Sequence, residues 1–590
     1  MCNTSASQDY WLYEIDFCDA AVVDATTPGG WEANWSGKDG VQWMNCPPNG
    51  KKTRNGHKST SPLVGQTLSA VITFYKEGFL YETTARQPRG RQPLRMTDTD
   101  SLLFIPELLR QGVFDAEHSL RKTGGYANLV NVQTTMTVTD RKFIIFTWGC
   151  QMNEDDAEQI ASLLMQMGYS PTDTPEAADL AMLVTCSVRA KPEQKAKSKL
   201  GELRLVKESN PGMIIGVCGC MAQKEGEQLR KHRPYLDLVV GTASIWRIPE
   251  LISEVQRKRG FRSALEMPRN ASDSRGVPPR TARQGLSIKS FVPVMYGCDN
   301  FCSYCVVPYV RGKERSREVD DIVREVADLA HSGRKEVTLL GQNVNSYGAA
   351  LSERTDFADL LRAVSDVRGI ERIRFTTSHP KDLSDKLIEA IRGLPKVCEH
   401  IHLAVQSGDD EILARMNRKY TSAHIRERVA ALRSAIPDIA ITTDFLVGFP
   451  GETEAQFDNT MRLAEEVRFD AAFMFAFNPI PRTAAAGMED QLAESDKGER
   501  LNRLIRVQNA ITCEVNDACI GNTYQVLVEG VSPKDTKRLT GLTRQNKTMN
   551  FPGSLDMIGK QVCVRVTEGH LYGYVGESVL LACAGGQSGR

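Results

Sequence analysis

Three cysteines stand within eight residues of one another in the segment GCDNFCSYC: Cys298, Cys302 and Cys305. Three thiolates on one tight loop can hold a 4Fe-4S cluster through three irons and leave the fourth open. An open coordination position separates a reactive metal site from a structural one. A zinc site would want a fourth Cys or His close by, and none is adjacent. Three further cysteines end apolar runs: Cys150 after KFIIFTWG, Cys186 after LAMLVT and Cys220 at the close of MIIGVCGC. If those runs are parallel strands, their carboxyl ends share one edge of the sheet, where ligands bind. Cysteines more than 30 residues apart then meet at one point, either as a second metal site or as buried core thiols. Cys218 lies within its strand and reads as core. The remaining cysteines show no ligand spacing.

These side chains need elements to position them. From Lys142 the pattern is βαβα. KFIIFT, LAMLVT, MIIGVC and LDLVV are short apolar strands, and Ala157, Ile160, Leu164 and Met167 recur at helical spacing between the first two. The expectation is an α/β parallel-sheet domain over 139–258, followed by a Pro-, Arg- and Ser-rich linker over 259–286. A second βα series begins at FVPVMYG and continues through EVTLLG, RIRFTT, HIHLAV, IAITTDFLVG and AAFMFAF. Six units over about 220 residues predict a partial (β/α)6 barrel over 287–512, since a full eight-unit barrel takes about 250. The cysteine loop then follows the first barrel strand, on the face where such barrels carry chemistry. Residues 515–582 turn to short strands (TYQVLVEGV, RLTGLT, KTMNF, QVCVRVTEG) and predict a small all-β domain. Residues 1–138 read as an irregular extension with no sustained periodicity beyond an apolar piece near Leu102–Phe114. It is either disordered or placed ahead of a natural start at Met136; a small independent domain is the alternative.

Composition narrows the class. The chain has 590 residues, 41% hydrophobic and 25% charged, which excludes a coiled-coil rod, collagen or a wholly disordered chain. Lys and Arg number 73, as do Asp and Glu, so binding of nucleic acid by bulk charge is excluded and any RNA contact must come from local patches. There is no signal-peptide pattern and no apolar run long enough for a membrane span, so a cytoplasmic protein with no membrane partner is expected. Fifteen cysteines scattered over a chain this long fit a reducing compartment rather than a disulfide scaffold.

The surrounding text resembles one family. GCQMNEDDAE, TCSVRAKPEQKAKSKLG, GCDNFCSYCVVPYVRGKERSR, LLGQNVNSYG, HLAVQSGDDEILARMNRKYT and TDFLVGFPGETEAQF are similar to the tRNA methylthiotransferases of the MiaB type, within the radical S-adenosyl-L-methionine (SAM) superfamily. GLTRQNKTMNF resembles their RNA-binding TRAM domain. The resemblance covers about three quarters of the chain. It implies that Cys298, Cys302 and Cys305 hold a radical 4Fe-4S cluster that binds SAM, and that Cys150, Cys186 and Cys220 hold an auxiliary 4Fe-4S cluster. It implies as substrate the isopentenylated adenosine at tRNA position 37, methylthiolated on carbon 2. Breaking an unactivated aromatic C–H bond is chemistry for a cofactor, with the protein supplying position and dryness. An electron donor such as flavodoxin or ferredoxin, a sulfur donor and a monomeric state are expected with it.

Polar residues at the carboxyl ends of the barrel strands are the candidates for SAM or substrate contact: Gln342, Asn343, Ser378, His379, Gln406 and Asp444, with Tyr304 in the cysteine loop. VGFPGE, including Gly448 and Glu452, resembles the superfamily's glycine-rich SAM-contacting strand. Arg311 and Arg317 could neutralise phosphates, the alternative being a solvated turn. Lys537, Arg538, Arg544 and Lys547 form a basic run in the β domain and read as an RNA footprint. Two departures stand out. Ala404 replaces a proline, and Ile480 and Arg482 stand where the family has an arginine and a glycine. The rivals are a sister methylthiotransferase acting on threonylcarbamoyladenosine or on a ribosomal protein, and a non-catalytic iron–sulfur RNA-binding regulator.

Overall fold

The computed structural model describes residues 141–187, 190–267, 287–349, 351 and 354–579, together with the strands Tyr13–Cys18, Ser69–Lys76 and Phe79–Arg86. Packing divides the chain into two compact units, Met1–Val138 and Thr139–Arg590. In the first, the three strands form an antiparallel sheet with Ser69–Lys76 in the middle. This differs from the expected absence of strands. SAVITFYK and FLYETTAR are rich in β-branched and aromatic residues, and only Glu77 and Gly78 separate them, a length and composition that favour a tight hairpin. The Leu102–Phe114 piece lies outside the described residues.

The second unit opens with a six-stranded, all-parallel sheet. Its order is Ser170–Pro171, Lys142–Trp148, Leu180–Thr185, Ile214–Cys218, Leu238–Val240, Arg262–Ala264. The central strands Leu180–Thr185 and Ile214–Cys218 are buried at every position, as continuous apolar strands covered on both faces must be. Helices Gln151–Gln166 and Ile248–Arg257 cover one face through Ile160, Leu164, Leu251 and Val255. Helix Ala190–Ser209 covers the other through Ala196, Leu200 and Leu203. The linker expected from 259 starts later, because Arg262–Ala264 pairs with Leu238–Val240 as an edge strand. Only three residues long and begun by an arginine, it carries no readable period.

Six parallel strands then build the open barrel. Lys289–Pro293, Glu336–Leu340 and Arg372–Phe375 form one half; His400–His402, Ala440–Val447 and Ala471–Ala476 form the other. Single bridges from Ile373 to Val397 and from Ser378 to Leu403 join the halves. One apolar core runs through all six strands and the helices outside them. Helix Glu494–Asp517 leads from the barrel into a closed five-stranded β-barrel: Thr523–Val531, Arg538–Thr543, Thr548–Pro552, Gly573–Ser578 and Gln561–His570. The strand Gly573–Ser578 was not among those expected, since two glycines in six residues hide its period. Among the described residues, no helix is long and apolar enough to cross a membrane.

The β-barrel is clamped to the strand side of the (β/α)6 barrel by arginines. Arg372, wholly buried, donates to the carbonyls of Leu542 (2.7 Å) and Gln525 (2.9 Å) and to Gln561 Oε1. Arg374 donates to the carbonyls of Thr543 (2.7 Å) and Arg544 (3.0 Å). In return Arg544 makes a two-pronged ion pair with Glu399 (2.6 and 2.7 Å) and donates to the Val397 carbonyl. Lys547 pairs with Asp470 at 3.1 Å and bonds Asn516 at 3.0 Å. Arg544 and Lys547 therefore serve the domain junction and are not offered to RNA, which corrects the expectation for them. Lys537 is exposed, and Arg538 is half-buried with its guanidinium 3.2 Å from Asp535.

Candidate active site

The cysteine loop follows the short strand Met295–Tyr296 at the carboxyl end of the first barrel strand. Gly297 starts it at φ 75°, and a Cβ there would lie 2.1 Å from the Lys313 carbonyl oxygen, so only glycine lets the loop close. The Cys298 amide donates to the Gly312 carbonyl (3.1 Å). Segment Arg415–Arg418 holds the far side. The Ser303 amide donates to Met416 O, its hydroxyl donates to Arg415 O, and Asn417 Nδ2 donates to Asn300 O and Phe301 O. Arg418 is buried and points at the loop. Its guanidinium lies 3.3 Å from Cys302 Sγ, donates to the Tyr304 hydroxyl (3.4 Å), and its Nε donates to the Tyr420 hydroxyl (2.8 Å). Burial pushes the Cys298 thiol up to about 11 and the Cys305 thiol up to about 12. Cluster assembly at this loop must therefore displace protons, as thiolate–metal binding does.

The second triad assembles at the carboxyl edge of the parallel sheet. Cys150 precedes helix Gln151–Gln166, Cys186 follows its strand, and Cys220 opens helix Cys220–Glu225. The Cys186 amide donates to the Trp148 carbonyl (3.1 Å), and a Cβ on Gly149 would lie 2.5 Å from the Cys186 Cβ. The Cys150 thiol is held down to about 5, first by its hydrogen bond with Cys186 and then by the charge of Arg311, against the opposing effect of burial. Burial pushes Cys220 up, with Arg311 working against it. Cys218 sits wholly buried in the sheet core, where burial raises its thiol far above the ordinary range.

The two triads face each other through one segment. Val306 and Val310, next to Cys305 and on helix Val307–Val310, pack against Cys220, with Ile480 alongside. Thr242 donates to the Val310 carbonyl at 2.7 Å. Arg311 crosses to helix Gln151–Gln166, donating to Asp156 (2.8 Å) and Asn153 (3.2 Å). It is 4% exposed, so its role is to join domains beside the auxiliary thiols, not to meet a phosphate. Arg317 is likewise buried, bonded to the Pro293 carbonyl and paired with Glu325 at 2.7 Å. Both expectations of RNA contact are corrected: cations spaced closely in sequence suggest a solvated patch, but both guanidiniums are buried against protein partners.

The strand-end residues divide by what already engages them. Asn343 is spent internally, donating to Asp382 (2.7 Å) and accepting from the His379 amide (3.2 Å). Glu452 accepts from the Gly448 amide (2.7 Å) and from Arg500 (2.9 Å), so it braces the turn in which Gly448 sits at φ 70°. Asn343 is thus a bracket and not a ligand contact, a correction for that residue, whereas Glu452 also keeps a buried Oε1 with no hydrogen-bond partner. Asp444 pairs with His402 at 3.3 Å, and Gln406, four residues past strand His400–His402, takes φ 70°. Gln342 Oε1, Ser378 Oγ and His379 Nε2 are buried without a hydrogen-bond partner, as are both amide atoms of Asn345, which the sequence reading passed over. Burial and the nearby Arg418 hold His379 down to about 2, so it stays neutral. Such orphaned atoms at the open end of a barrel suit a polar ligand like SAM. Among the described residues, no three His, Cys, Asp or Glu gather around a single ion. A 4Fe-4S cluster takes one thiolate on each of three irons, and each triad offers three thiols, that of Cys298, Cys302 and Cys305 with no fourth Cys or His beside it in sequence, a donor set that fits a cluster with one open iron.

This barrel and its cysteine loop define a radical SAM protein. Residues 292–464 match the Radical SAM superfamily, residues 142–241 the Uncharacterized protein family UPF0004, and residues 517–576 the TRAM domain. The chain is 47% identical over 444 residues to the tRNA-2-methylthio-N(6)-dimethylallyladenosine synthase of Alkaliphilus oremlandii, covering 75% of this chain and 93% of that one. It is 45% identical over 455 residues to that of Clostridium novyi, covering 77% and 100%, and 47% identical over 438 residues to that of Thermoanaerobacter pseudethanolicus, covering 74% and 92%. The chain belongs to this family of tRNA methylthiotransferases.

Proposed function

We propose that this protein adds a methylthio group to carbon 2 of N6-dimethylallyladenosine at tRNA position 37, with SAM and two 4Fe-4S clusters as cofactors. Cys298, Cys302 and Cys305 would hold one cluster, and Cys150, Cys186 and Cys220 the other. The observation that carries this reading is the apposition of two cysteine triads on two domains across Val306, Val310 and Arg311. Bound there, SAM and the clusters would supply an organic radical, a sulfur atom and a methyl group. The chain's own share is placement and exclusion of water. Val306, Val310 and Ile480 line the space beside Cys220 with hydrocarbon. Gln342, Asn345, Ser378 and neutral His379 offer polar atoms to SAM, and Arg418 places a fixed positive charge beside Cys302. An electron donor of the flavodoxin or ferredoxin type, a separate sulfur donor and a monomeric, cytoplasmic enzyme belong to the same reading.

The test is nucleoside mass spectrometry of tRNA from a strain lacking the protein. The methylthio form of the isopentenylated adenosine should vanish while its unmethylthiolated precursor accumulates. Loss of the threonylcarbamoyl counterpart instead would assign the protein to the sister reaction. In vitro, the loaded protein should carry about eight irons, and the Cys298→Ala, Cys302→Ala, Cys305→Ala variant about four. A variant that keeps all its iron would reject the ligand assignment.

A further inference from the structure

With Arg311, Arg317, Arg544 and Lys547 engaged inside the protein, exposed Lys537 is left from the expected footprint, and further cations that could meet the RNA backbone lie on another domain. Helix Ala190–Ser209 carries six. Lys197 is paired with Glu193 and Glu225, Lys207 with Asp237, Arg204 with Glu208, and Lys199 with Glu202. Lys191 and Lys195 are exposed, and among the described residues neither has an ion pair. Lys191, Lys195 and Lys199 recur every fourth residue and so share one helix face. That face borders a shallow depression with Trp148 on its other side. Trp148 stacks on Phe146 with ring centres 5.9 Å apart and planes within 7°, and Lys199 Nζ lies 5.0 Å over the Phe146 ring. Trp148 is two residues before Cys150, and its carbonyl accepts from the Cys186 amide. The depression and the auxiliary triad are therefore built on the same strand end.

We propose that Trp148 with Lys191, Lys195 and Lys199 is a docking surface for single-stranded RNA, taking the nucleotides that flank the target base. The assignment rests on the proposed function for its substrate. Its own support is chemical: a flat aromatic stack edged by lysines, two of them, Lys191 and Lys195, without an ion pair among the described residues, is how proteins hold unstacked bases and track their backbone. Its position beside the auxiliary cysteines is where strand adjoining a delivered adenine must pass.

The experiment uses the cluster-loaded full chain and an anticodon stem-loop RNA carrying the isopentenylated adenine. The Lys191→Ala, Lys195→Ala, Lys199→Ala variant should bind more weakly. The slope of log affinity against log salt should flatten by about 0.7 per contact, or about 2 for three contacts. Trp148→Ala should weaken binding about 5- to 150-fold, the range for loss of one aromatic–base stack, whereas Trp148→Phe should keep most of the affinity. Iron content and melting temperature report whether each variant is intact. Arg324→Ala, Arg362→Ala, Arg392→Ala removes the same charge from exposed positions on the outer helices and should leave affinity unchanged. Wild-type affinity and salt slope in the triple lysine variant would overturn the proposal. Unchanged RNA binding with slower reduction by an acidic electron-transfer protein would also overturn it and give the surface to the reductant. If wild-type protein binds the stem-loop through these lysines but never methylthiolates it, the function fails and the surface stands.

Discussion

Replacing Arg311 by Met separates the electrostatics of the domain junction from its packing, because the two side chains are similar in length. The guanidinium donates to Asp156 at 2.8 Å, and both side chains are nearly sealed, at 4% and 6% exposure. Burial pushes the Asp156 carboxyl up from 3.8 to about 6, with Arg311 as the main restraint on a larger rise. Removing one partner of such a buried pair costs about 3–5 kcal/mol. The pH dependence of that loss is the sharper prediction. A carboxyl whose folded value lies above its unfolded value contributes stability at low pH that is lost as pH rises. In the wild type this loss levels off above about pH 6, once Asp156 ionises beside Arg311. Without the guanidinium the carboxyl stays protonated to higher pH, and the loss continues at about 1.4 kcal/mol per pH unit. The difference between wild type and Arg311→Met should thus grow by about 1 kcal/mol from pH 6, where the wild-type carboxyl is half ionised, to pH 7, and by about 1.3 kcal/mol from pH 7 to pH 8. Hydrogen exchange at Ile160 and Leu164, buried on the same helix, reads the opening free energy in cluster-loaded protein, where ligated thiols do not titrate. Adding Asp156→Asn should flatten the pH dependence. A difference that stays constant with pH, or that survives Asp156→Asn, would refute the argument.

Arg482 is exposed and holds φ 77°, a left-handed conformation costing a non-glycine residue about 1–2 kcal/mol; Arg482→Gly should raise the thermal midpoint, with a net gain of up to about 1 kcal/mol after the unfolded-state entropy of glycine. A lower midpoint would mean the arginine makes a contact that outweighs the strain. Arg372→Met removes the donor shared by the Leu542 and Gln525 carbonyls, at about 1–3 kcal/mol for each buried acceptor left unpaired, and should speed protease cleavage between 517 and 523 as the β-barrel undocks. Unchanged cleavage would show that Arg374, Arg544 and Lys547 hold the junction without Arg372. Cys218→Ala should leave the iron content intact while Cys220→Ala lowers it; equal loss in both would move the third auxiliary ligand.

The central strands of the first sheet were legible because a strand buried on both faces must be an unbroken apolar run, as LAMLVT and MIIGVC nearly are. The cysteine loop was legible because its three cysteines lie within eight residues of chain. Charged residues were not, since the partner of a charge is a long-range fact. Asp156 is 155 residues from Arg311, and Glu399 is 145 residues from Arg544. Both arginines look like solvated patches until the fold closes over them. Arg418 was hidden in the same way: ARMNRKYT reads as an exposed helix end, yet its guanidinium reaches Cys302 across 116 residues. Asn345 carried a signal that could have been used, as a third amide in GQNVNSYG just past the strand end.

The two departures from the family pattern at 480 and 482 make sense together once the site is assembled. Ile480 packs among Cys220, Val306 and Val310, one residue from the buried guanidinium of Arg311. Arg311 already supplies the positive charge that the auxiliary thiols feel, and its two hydrogen bonds go to Asp156 and Asn153. A second buried guanidinium in that space would need its own anion, and the apolar cluster that Ile480 packs against, Cys220, Val306 and Val310, supplies no carboxylate. An aliphatic residue at 480 therefore seals the space without that demand. The arginine at 482 does not replace the missing charge: it points into solvent from a backbone turn that glycine would enter at less cost. Electrostatic control beside the auxiliary cysteines thus falls to Arg311, which is why its substitution is the most informative single change in this chain.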